Sequence, residues 1–468
     1  MLRRAIAVAV PVVAAAAALA LTTGATSAEP AKATRAAVPP GAIKHIVVIN
    51  LENEDFGDSF GPSSPATYLN GTLLPQGELI ENYYATSHAS LGNYISQVSG
   101  QASAPATNDD CIDLSTFPKL LGGFFDVTPG TDADPTTWPG QVLGNGCVFP
   151  APTATSHGAQ TIGDQLDARP GADAGPHITW RAYAEDMGNI PSRDFGVPDP
   201  LGGTDCAHPP LGGVDMSNQA VAGDQYATRH VGFLYLHSVI DDAARCAAHV
   251  VPLGTVTVGV NGAPDTFAGH LAEDFSKQAT TPEFSFITPN LCNDGHDAKC
   301  AGTNTEGGHT GGLVGADLWL KHWMPLILGS PAYQSGKMLV VVTFDEGNPL
   351  KTAAGSAACC GERPGPNWPF PGYAPILGLF GIPQPPPGST AFQGGGPVGA
   401  VLLNPKYIVP GSVNSTAAYN HFSALRSYED MLGLTSGGDD ALGHLGFAAD
   451  IGLTPFGPDV FNNNASGR

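Results

Sequence analysis

Residues 43–53 read IKHIVVINLEN, and residues 338–347 read MLVVVTFDEG. In both stretches a nearly continuous apolar run stops abruptly at polar side chains, Glu52-Asn53 in the first and Asp345-Glu346 in the second. Such runs indicate buried strands of a parallel sheet, which deliver polar side chains to its carboxyl edge. Open α/β sheets bind their ligands at that edge. The two stretches therefore predict an α/β fold with a site where the two strands end.

The rest of the chain continues this alternation of strands and helices. The predicted strands are Ile43–Ile49, Ile178–Tyr183, Val231–Tyr235, Phe284–Thr288, Met338–Thr343 and Ala400–Leu403. The predicted helices are Leu91–Val98, Asp317–Leu328 and Ser423–Leu432. The alternation favours one mostly parallel central sheet flanked by helices over two separate domains. We expect a single catalytic domain over residues 41–468, with loop-rich insertions, dense in Gly and Pro, near 101–175 and 348–399.

The first 28 residues have the pattern of a cleaved signal peptide. Arg3 and Arg4 give a positive start, Ala5 to Leu21 form an apolar stretch, and Thr26-Ser27-Ala28 make a small-residue cleavage site. An uncleaved membrane anchor is the alternative, because the stretch is about long enough to span a bilayer. We expect a secreted protein, exported by the Sec or the twin-arginine route. Residues 29–40 are then a flexible leader, and no stable membrane insertion follows cleavage.

The eight cysteines form an even set, which predicts disulfide bonds in an exported chain. Their spacing does not repeat the C-x-x-C pattern of zinc sites. We expect Cys292 and Cys300 to close a short loop. The adjacent Cys359 and Cys360 are expected to pair with different partners rather than with each other.

Acidic residues dominate a sparse set of charges: the formal net charge is −22 at pH 7, and only 13% of the residues are charged. Such a surface repels nucleic acid and anionic lipid at long range, so we expect neither as a partner. A phosphate-bearing substrate would have to be held by a local cation.

The two strand-end pairs are the first candidate metal ligands. Glu52-Asn53 and Asp345-Glu346 offer adjacent hard oxygen donors, which suit a divalent cation. Each pair has a structural alternative: Asn53 could cap a helix, and the second pair could form a turn ahead of Gly347. Two pairs, each ending a long apolar run, favour metal binding. Oxygen ligands favour Ca²⁺, Mg²⁺ or Mn²⁺, whereas histidines would admit Zn²⁺ or Fe.

The segment TSHASLGNY at residues 86–94 contains the candidate nucleophile, Ser90. A serine hydroxyl needs activation, which a metal or the nearby His88 could supply. The alternative is a serine that only caps the following helix. The two roles are compatible, because a helix N-terminus also offers free backbone N–H groups to a phosphate. Asn93 could donate to a phosphoryl oxygen.

Three further groups of polar residues are candidates. Asp294 and His296 lie in a polar cluster directly after a predicted strand, which could instead be an Asx-turn loop. His421 could be an ordinary exposed histidine. Arg229 and His230 precede an apolar run and could either clamp a phosphate or be solvated.

Together these segments resemble a known family, the secreted phosphoesterases that join bacterial acid phosphatases with phospholipases C in the alkaline-phosphatase-like superfamily. The likeness runs from about residue 43 to 461. It is carried by Glu52-Asn53 and by residues 87–94 (SHASLGNY), 180–186 (WRAYAED), 293–297 (NDGHD), 317–320 (DLWL), 342–347 (VTFDEG) and 420–423 (NHFS) with Arg426 and Glu429-Asp430. Their shared order along the chain makes the match specific.

The resemblance implies an alkaline-phosphatase-like fold and a phosphoseryl intermediate on Ser90. By position, the ligands of the metal that contacts this serine would be Glu52, Asn53, Asp345 and Glu346. A second set, binding another metal or holding the leaving group and water, would be Asp294, His296 and His421. The histidines that face the phosphate would be His88 and His230. The chain departs from the family pattern at Gly92, where proline is usual, and at Gly295, where methionine is common; neither change removes a functional side chain.

We therefore expect a secreted, metal-dependent phosphomonoesterase, an acid phosphatase with an acidic to neutral optimum acting on a small phosphate ester. The closest alternative is a phospholipase C that cleaves the headgroup phosphodiester of a phospholipid. The lack of an amphipathic, basic membrane-docking stretch favours monoesters. A remoter alternative is a non-catalytic exported binding protein on the same fold. The sequence leaves the natural substrate, the metal and the oligomeric state open.

Overall fold

The structure is a computed structural model that describes residues 38–39, 41–112, 121–129, 137–154, 157–169, 178–217, 221–296, 311–348, 353–450 and 452–463. The predicted signal peptide and most of the predicted leader lie outside the described residues.

A sheet of eight strands forms the centre of the described chain. In chain order the strands are β1 (His45–Leu51), β2 (Glu78–Ile80), β3 (Trp180–Ala184), β4 (Val250–Pro252), β5 (Phe284–Thr288), β6 (Met338–Phe344), β7 (Ala400–Leu403) and β8 (Ser412–Asn414). In space they follow the order β4-β3-β5-β1-β6-β7-β2-β8. Of these eight, β7 alone runs against the others. The predicted α/β fold with a mostly parallel sheet is confirmed.

The central strand β1 is buried along its whole length, and so is its neighbour β6. Strands buried on both faces have continuous apolar sequences, which is why these two could be recognised. Leu51 pairs with Phe344 at the end of the ladder, and the Asp345 N–H donates to the Leu51 carbonyl at 2.8 Å. The two strands therefore end level, and Glu52 and Asp345 leave the sheet side by side.

Ten α-helices lie in the described ranges: α1 (Phe56–Ser59), α2 (Ser90–Ser99), α3 (Ile162–Asp167), α4 (Pro191–Asp194), α5 (His237–Ile240), α6 (Ala243–His249), α7 (His270–Phe275), α8 (Gly312–Gly329), α9 (Pro331–Gln334) and α10 (His421–Leu432). Gly100 and Gly433 end α2 and α10 with φ of 68° and 70°, a left-handed conformation that glycine adopts without strain. The three predicted helices are confirmed, although α8 begins earlier than predicted.

Shorter elements connect these helices and strands. Two-stranded sheets pair Tyr83–Tyr84 with Tyr419–Asn420, Gly122–Phe124 with Gly213–Asp215, Thr128–Pro129 with Gly144–Asn145, Val197–Pro198 with Thr204–Asp205, and Thr255–Val258 with Pro264–Ala268. A π-helix covers Leu69–Leu73, and 3₁₀ helices cover Leu74–Gln76, Thr107–Asp109, Thr228–His230, Gly232–Tyr235, Ala353–Ser356, Pro375–Phe380 and Gly446–Ala449. No helix in the described ranges is both long and apolar enough to cross a membrane.

The strand predicted at Val231–Tyr235 is wrong. Gly232–Tyr235 is a 3₁₀ helix whose residues are all buried. Its backbone forms turns, as in the bond from the Leu234 N–H to the Val231 carbonyl at 3.0 Å. An apolar run of this length shows burial but does not distinguish a strand from a buried turn.

Disulfide bonds join Cys111 to Cys147 and Cys206 to Cys246. Cys292 is also disulfide-bonded, and its predicted partner, Cys300, lies outside the described residues. The prediction that Cys359 and Cys360 have different partners is wrong, because they are bonded to each other. Cys360 has φ of 64°, so the chain turns sharply there and the two neighbouring sulfurs meet.

Candidate active site

The two strand-end pairs meet at the carboxyl edge of the sheet, as predicted. Glu52 and Asp345 are fully buried. The Asn53 N–H donates to Asp345 Oδ1 at 3.0 Å, across 292 residues of sequence. Asn53 has φ of 50°, a left-handed conformation that asparagine tolerates better than most residues, and its amide nitrogen lies 3.4 Å from Glu52 Oε2. This turn brings the pairs together.

Ser90 is the first residue of α2, and its hydroxyl points at this edge. Its Oγ donates to Glu52 Oε2 at 2.9 Å. Tyr94, one turn further along α2, donates from its hydroxyl to Glu52 Oε1 at 2.5 Å. No role was predicted for Tyr94 from the sequence. Its distance of four residues from Ser90 was a usable signal, because residues so spaced share one face of a helix.

Asn93 does not point its amide at the site. Its Oδ1 accepts from the backbone N–H groups of Thr86 and Ser87, both at 3.0 Å. Its Nδ2 donates to the carbonyls of Ser87 and Ala89, at 2.8 and 3.3 Å. Both amide hydrogens are therefore used inside the loop before Ser90, and neither is left for the phosphoryl oxygen that the sequence analysis expected Asn93 to contact.

Gly92 faces the same loop. A Cβ on this residue would lie 2.5 Å from Ser87 Oγ, closer than real side chains come. The glycine that departs from the family pattern therefore fits the way this chain packs its serine loop against α2.

The loop after β5 carries Asp294 and His296 to the end of β1. The Glu52 N–H donates to the Asp294 carbonyl at 2.8 Å. Gly295 has φ of 113°, where L side chains are strained, and a Cβ there would lie 3.0 Å from the Glu52 carbonyl oxygen. Glu185, just past β3, holds the base of this loop by accepting from the Asn290 N–H at 3.0 Å. Sheet geometry thus brings the predicted second set beside the first.

His230 lies between two of the predicted carboxylate ligands. Its Nε2 is 3.4 Å from Glu52 Oε1, and its Nδ1 is 3.5 Å from Asp294 Oδ2. The ring stacks on Tyr94 with a centroid distance of 5.1 Å and an interplanar angle of 6°. Burial and the adjacent Arg229 lower the pKa of His230 well below its usual value, so the ring is neutral. The structure therefore places His230 against Glu52 and Asp294, whereas the sequence analysis placed it against the phosphate.

Arg229 lies near the start of α2, held by Asp110. Its Nε is 3.3 Å from Asp110 Oδ2, while Asp110 Oδ1 accepts from the Leu91 N–H at 2.9 Å. The Leu91 N–H lies at the helix N-terminus, where free N–H groups were predicted for a phosphate. It is instead bonded to Asp110. Burial works against the charge of Arg229, but Asp110 and Glu52 raise its pKa, so the guanidinium stays charged.

His421 begins α10 and reaches the end of β6. Its Nε2 lies 2.8 Å from the Asp345 carbonyl, which can only accept, so Nε2 carries the hydrogen. Its Nδ1 then accepts from the Tyr83 hydroxyl at 3.2 Å. Burial lowers the pKa of His421 to about 4, in keeping with a neutral ring. Both ring nitrogens are occupied, so this geometry differs from the metal ligand implied by the family resemblance.

His88 contacts the last member of the strand-end pairs. Its Nε2 donates to the Gly355 carbonyl at 2.7 Å, and its Nδ1 forms a short contact with Glu346 Oε2. Burial lowers the pKa of His88 to about 4, while burial and Asp110 raise the pKa of Glu346 well above its usual value. The ring of His88 is therefore neutral where it contacts Glu346.

Four carboxyl groups are concentrated in this small buried volume: Glu52, Asp294, Asp345 and Glu346. Burial and the neighbouring Asp345 and Asp294 raise the pKa of Glu52, and burial and Glu346 raise that of Asp345. Asp345 Oδ2 is buried without a hydrogen-bond partner among the described residues. Buried like charges are costly unless a cation neutralises them. The donor set of carboxylates and the Asn53 amide fits a hard divalent cation.

A second group of potential metal ligands consists of residues outside the predicted site. It comprises Asp199, Asp205 and His270, whose ligand atoms are all within 4.8 Å of one another. Arg181 Nη1 donates to His270 Nδ1 at 2.5 Å, so His270 Nε2 carries the hydrogen and donates to Asp199 Oδ2 at 3.0 Å. A ring with both nitrogens in use does not ligate a metal. His270 instead links Arg181 to Asp199 by hydrogen bonds, and Asp205 Oδ1 lies 3.9 Å from its Nε2.

A cavity of about 660 Å³ adjoins the site. It is lined by Asn53 and His296 together with Glu54, Gly57, Asp58, Ser63, Pro65, Gly295, Leu313, Gly347, Asn348 and Leu377. This volume is in the range of small-molecule sites.

No protein family model matches the chain. The chain is 26% identical over 345 residues to the phosphate-repressible acid phosphatase of Penicillium chrysogenum, covering 70% of this chain and 58% of that protein. It is 22% identical over 312 residues to a probable acid phosphatase of Kluyveromyces lactis, covering 66% of this chain and 49% of that protein. The chain thus spans about half the length of the curated relatives it matches.

Two solved structures were also compared. A protein of the alkaline phosphatase superfamily from Vibrio parahaemolyticus gives a TM-score of 0.38 at 12% identity, over 85% of this chain and 68% of that chain. A mutant of the alkaline phosphatase PafA gives 0.26 at 10% identity, over 66% of this chain and 64% of that chain. By sequence, the chain is similar to fungal acid phosphatases.

Proposed function

We propose that this chain is a secreted, metal-dependent phosphomonoesterase that acts through a phosphoserine on Ser90. The observation that carries the proposal is the bond from Ser90 Oγ to Glu52, inside a buried group of carboxylates at the sheet edge. The similarity to fungal acid phosphatases supports the same reaction class.

A divalent cation would be held by Glu52, Asn53, Asp345 and Glu346, the residues that the two strand ends bring together. When bound, it would polarise a phosphoryl oxygen and lower the pKa of the Ser90 hydroxyl. Without the cation, the pKa values of Glu52 and Asp345 are raised. The two carboxyl groups therefore do not readily carry negative charge at the same time.

The chemistry is two displacements at phosphorus. Ser90 Oγ attacks phosphorus, the bond from phosphorus to the ester oxygen breaks, and the departing alkoxide takes a proton from a water molecule and leaves as the alcohol. Glu52 is placed to accept the serine proton, because it already accepts the hydroxyl hydrogen bond at 2.9 Å. In the second step the hydroxide left from that water attacks phosphorus, the bond from phosphorus to Ser90 Oγ breaks, phosphate is released, and Oγ recovers its proton from Glu52.

The remaining residues have supporting roles in this proposal. Arg229 stays charged and is held beside the start of α2 by Asp110, so it can balance the charge of the phosphoryl oxygens. His296 lines the cavity beside the site, where a leaving alcohol and the incoming water would be accommodated, and the buried Asp294 lies two residues before it. His421 fixes the backbone of Asp345 through its hydrogen bond to the carbonyl.

The test is Ser90→Ala in the purified mature protein, assayed on a chromogenic phosphomonoester, its bis-ester and phosphatidylcholine, with and without chelator. We expect the variant to lose at least about 10³-fold in kcat. We expect chelation to abolish the wild-type activity and the phosphomonoester to be the preferred substrate.

The control is Ser99→Ala on the same helix. Its hydroxyl donates to the Ile95 carbonyl at 2.7 Å and accepts from the Gln101 N–H at 3.3 Å, both of them backbone groups, so wild-type activity is expected. Activity that survives both Ser90→Ala and chelation would refute the mechanism. If the protein cleaves only phosphatidylcholine, it is a phospholipase C and not a phosphomonoesterase. If it cleaves none of the esters, the non-catalytic binding protein is favoured.

A further inference from the structure

One turn of α2 contacts both oxygens of a single carboxylate. Ser90 Oγ donates to Glu52 Oε2 at 2.9 Å, and the Tyr94 hydroxyl donates to Oε1 at 2.5 Å. Residues four apart lie on the same helix face, so the two hydroxyls reach Glu52 from one rigid element. A carboxylate that is bonded at both oxygens has its plane fixed.

The Tyr94 ring is itself held in place. It is fully buried, stacks on His230 at 5.1 Å and 6°, and meets Phe286 edge-on at 6.0 Å. The hydroxyl position is therefore set by packing before any ligand binds. Groups that hydrogen-bond a metal ligand orient it, and their loss commonly costs 10- to 100-fold in metal affinity.

From this geometry we propose that Tyr94 is the positioning residue that orients Glu52 toward the cation, so that α2 supplies both the nucleophile and the group that fixes its metal ligand. The inference rests on the proposed function, because it takes Glu52 as a metal ligand. It adds a defined task for a residue that does not touch phosphorus in the proposed reaction.

Tyr94→Phe separates the hydroxyl from the ring, because phenylalanine keeps the stacking on His230. Chelator-stripped wild type and variant are titrated separately with Ca²⁺, Mg²⁺, Mn²⁺, Zn²⁺ and Fe²⁺ by calorimetry. For the ion that wild type binds most tightly, we expect Tyr94→Phe to raise Kd about 10-fold. At limiting metal kcat should fall in proportion, and excess metal should restore it.

The matched control is Tyr235→Phe. Tyr235 is fully buried, and its hydroxyl has no hydrogen-bond partner in the described part of the chain. The same chemical change is therefore expected to leave Kd within twofold of wild type. Thermal stability alone does not decide the question, because either variant could lose stability through loosened packing. Kd for the ion is therefore the deciding measurement.

Each other outcome is decisive. A folded Tyr94→Phe with wild-type Kd for the ion would overturn the inference and leave the proposed function intact. An unfolded variant would also overturn it, because the hydroxyl would then be required by the fold rather than by the site. If wild type binds none of the five ions, the metal-dependent function fails first, and the inference fails with it.

Discussion

Single side chains in this site act by fixing the groups around them. The amide of Asn93 shows this most clearly, because all its hydrogen-bonding capacity is spent on the loop that presents Ser90. From the sequence, the same asparagine was predicted to contact a phosphoryl oxygen. A role in holding the loop and a role in contacting phosphate predict different effects on stability. One substitution therefore distinguishes the two roles.

Asn93→Ala is expected to lower the free energy of unfolding by about 3 kcal/mol, because the buried N–H groups of Thr86 and Ser87 lose their acceptor. Urea unfolding measures the change. Asn82→Ala is the control: its side chain donates one exposed bond to the Ser415 carbonyl, and its loss should cost under about 1 kcal/mol. An Asn93→Ala protein with wild-type stability and strongly reduced kcat would instead support direct contact with substrate.

The sequence indicated the strand-end residues of the site but not their contacts. The two strand-end pairs could be predicted because each pair ends an apolar run. They are Glu52-Asn53 and Asp345-Glu346. The bond from Tyr94 to Glu52 and the place of His230 between Glu52 and Asp294 depend on how α2 and the 3₁₀ turn at 228–230 pack on the sheet. Such packing has no local pattern in a single sequence.

At the scale of elements, burial and strand length decided what could be predicted. β5 and β7 have the predicted bounds, and β6 extends one residue further. The strands β2, β4 and β8 were not predicted, because three residues are too few to show a period. They are defined by pairing with neighbours that are distant in sequence.

The strand β2 contains a carboxyl that makes stability depend on pH. Glu78 is 1% exposed, and burial together with Asp459 raises its pKa to about 8 from an ordinary 4.5. Between those values the folded state holds a proton that the unfolded state has lost. Stability contributed by this group is therefore full below pH 4.5 and is lost as the pH rises through 8.

Glu78→Gln mimics the protonated carboxyl, so it should remove that loss. We expect the variant to be more stable than wild type by roughly 5 kcal/mol at pH 8.5 and close to it at pH 4.5. Thermal unfolding across this range measures the difference. Glu81→Gln, just beyond the strand, should follow the wild-type profile, and a Glu78→Gln profile parallel to wild type would contradict the assignment.

On the scale of the whole molecule, disulfide bonds close large loops around the sheet. Cys206 and Cys246 are 40 residues apart, and the Cys206 N–H also donates to the Val250 carbonyl of β4 at 2.8 Å. The disulfide therefore links Cys206 to α6, and the hydrogen bond links it to β4 at the edge of the sheet. Cys359 and Cys360 are neighbours and enclose no such loop.

Replacing Cys206 and Cys246 together by serine is expected to lower the free energy of unfolding by about 2–4 kcal/mol, because a closed loop of this length restricts the unfolded chain. Replacing Cys359 and Cys360 together is the matched control and should cost far less, since a bond between neighbours removes little loop entropy. Denaturant unfolding of both double variants makes the comparison. Equal losses would show that the stabilisation is not of loop-closure origin.

The level ends of β1 and β6 also set the order of events during synthesis. Asn53 contacts a carboxylate 292 residues later in the chain. The strand β1 therefore cannot make all its contacts until most of the polypeptide has left the ribosome. At 5–20 residues per second that interval lasts roughly 15–60 s. During it, the carboxylates of the site remain far apart in solvent, and their mutual repulsion does not arise. The centre of this protein is therefore assembled late, and contacts of such long range make folding slow for its size.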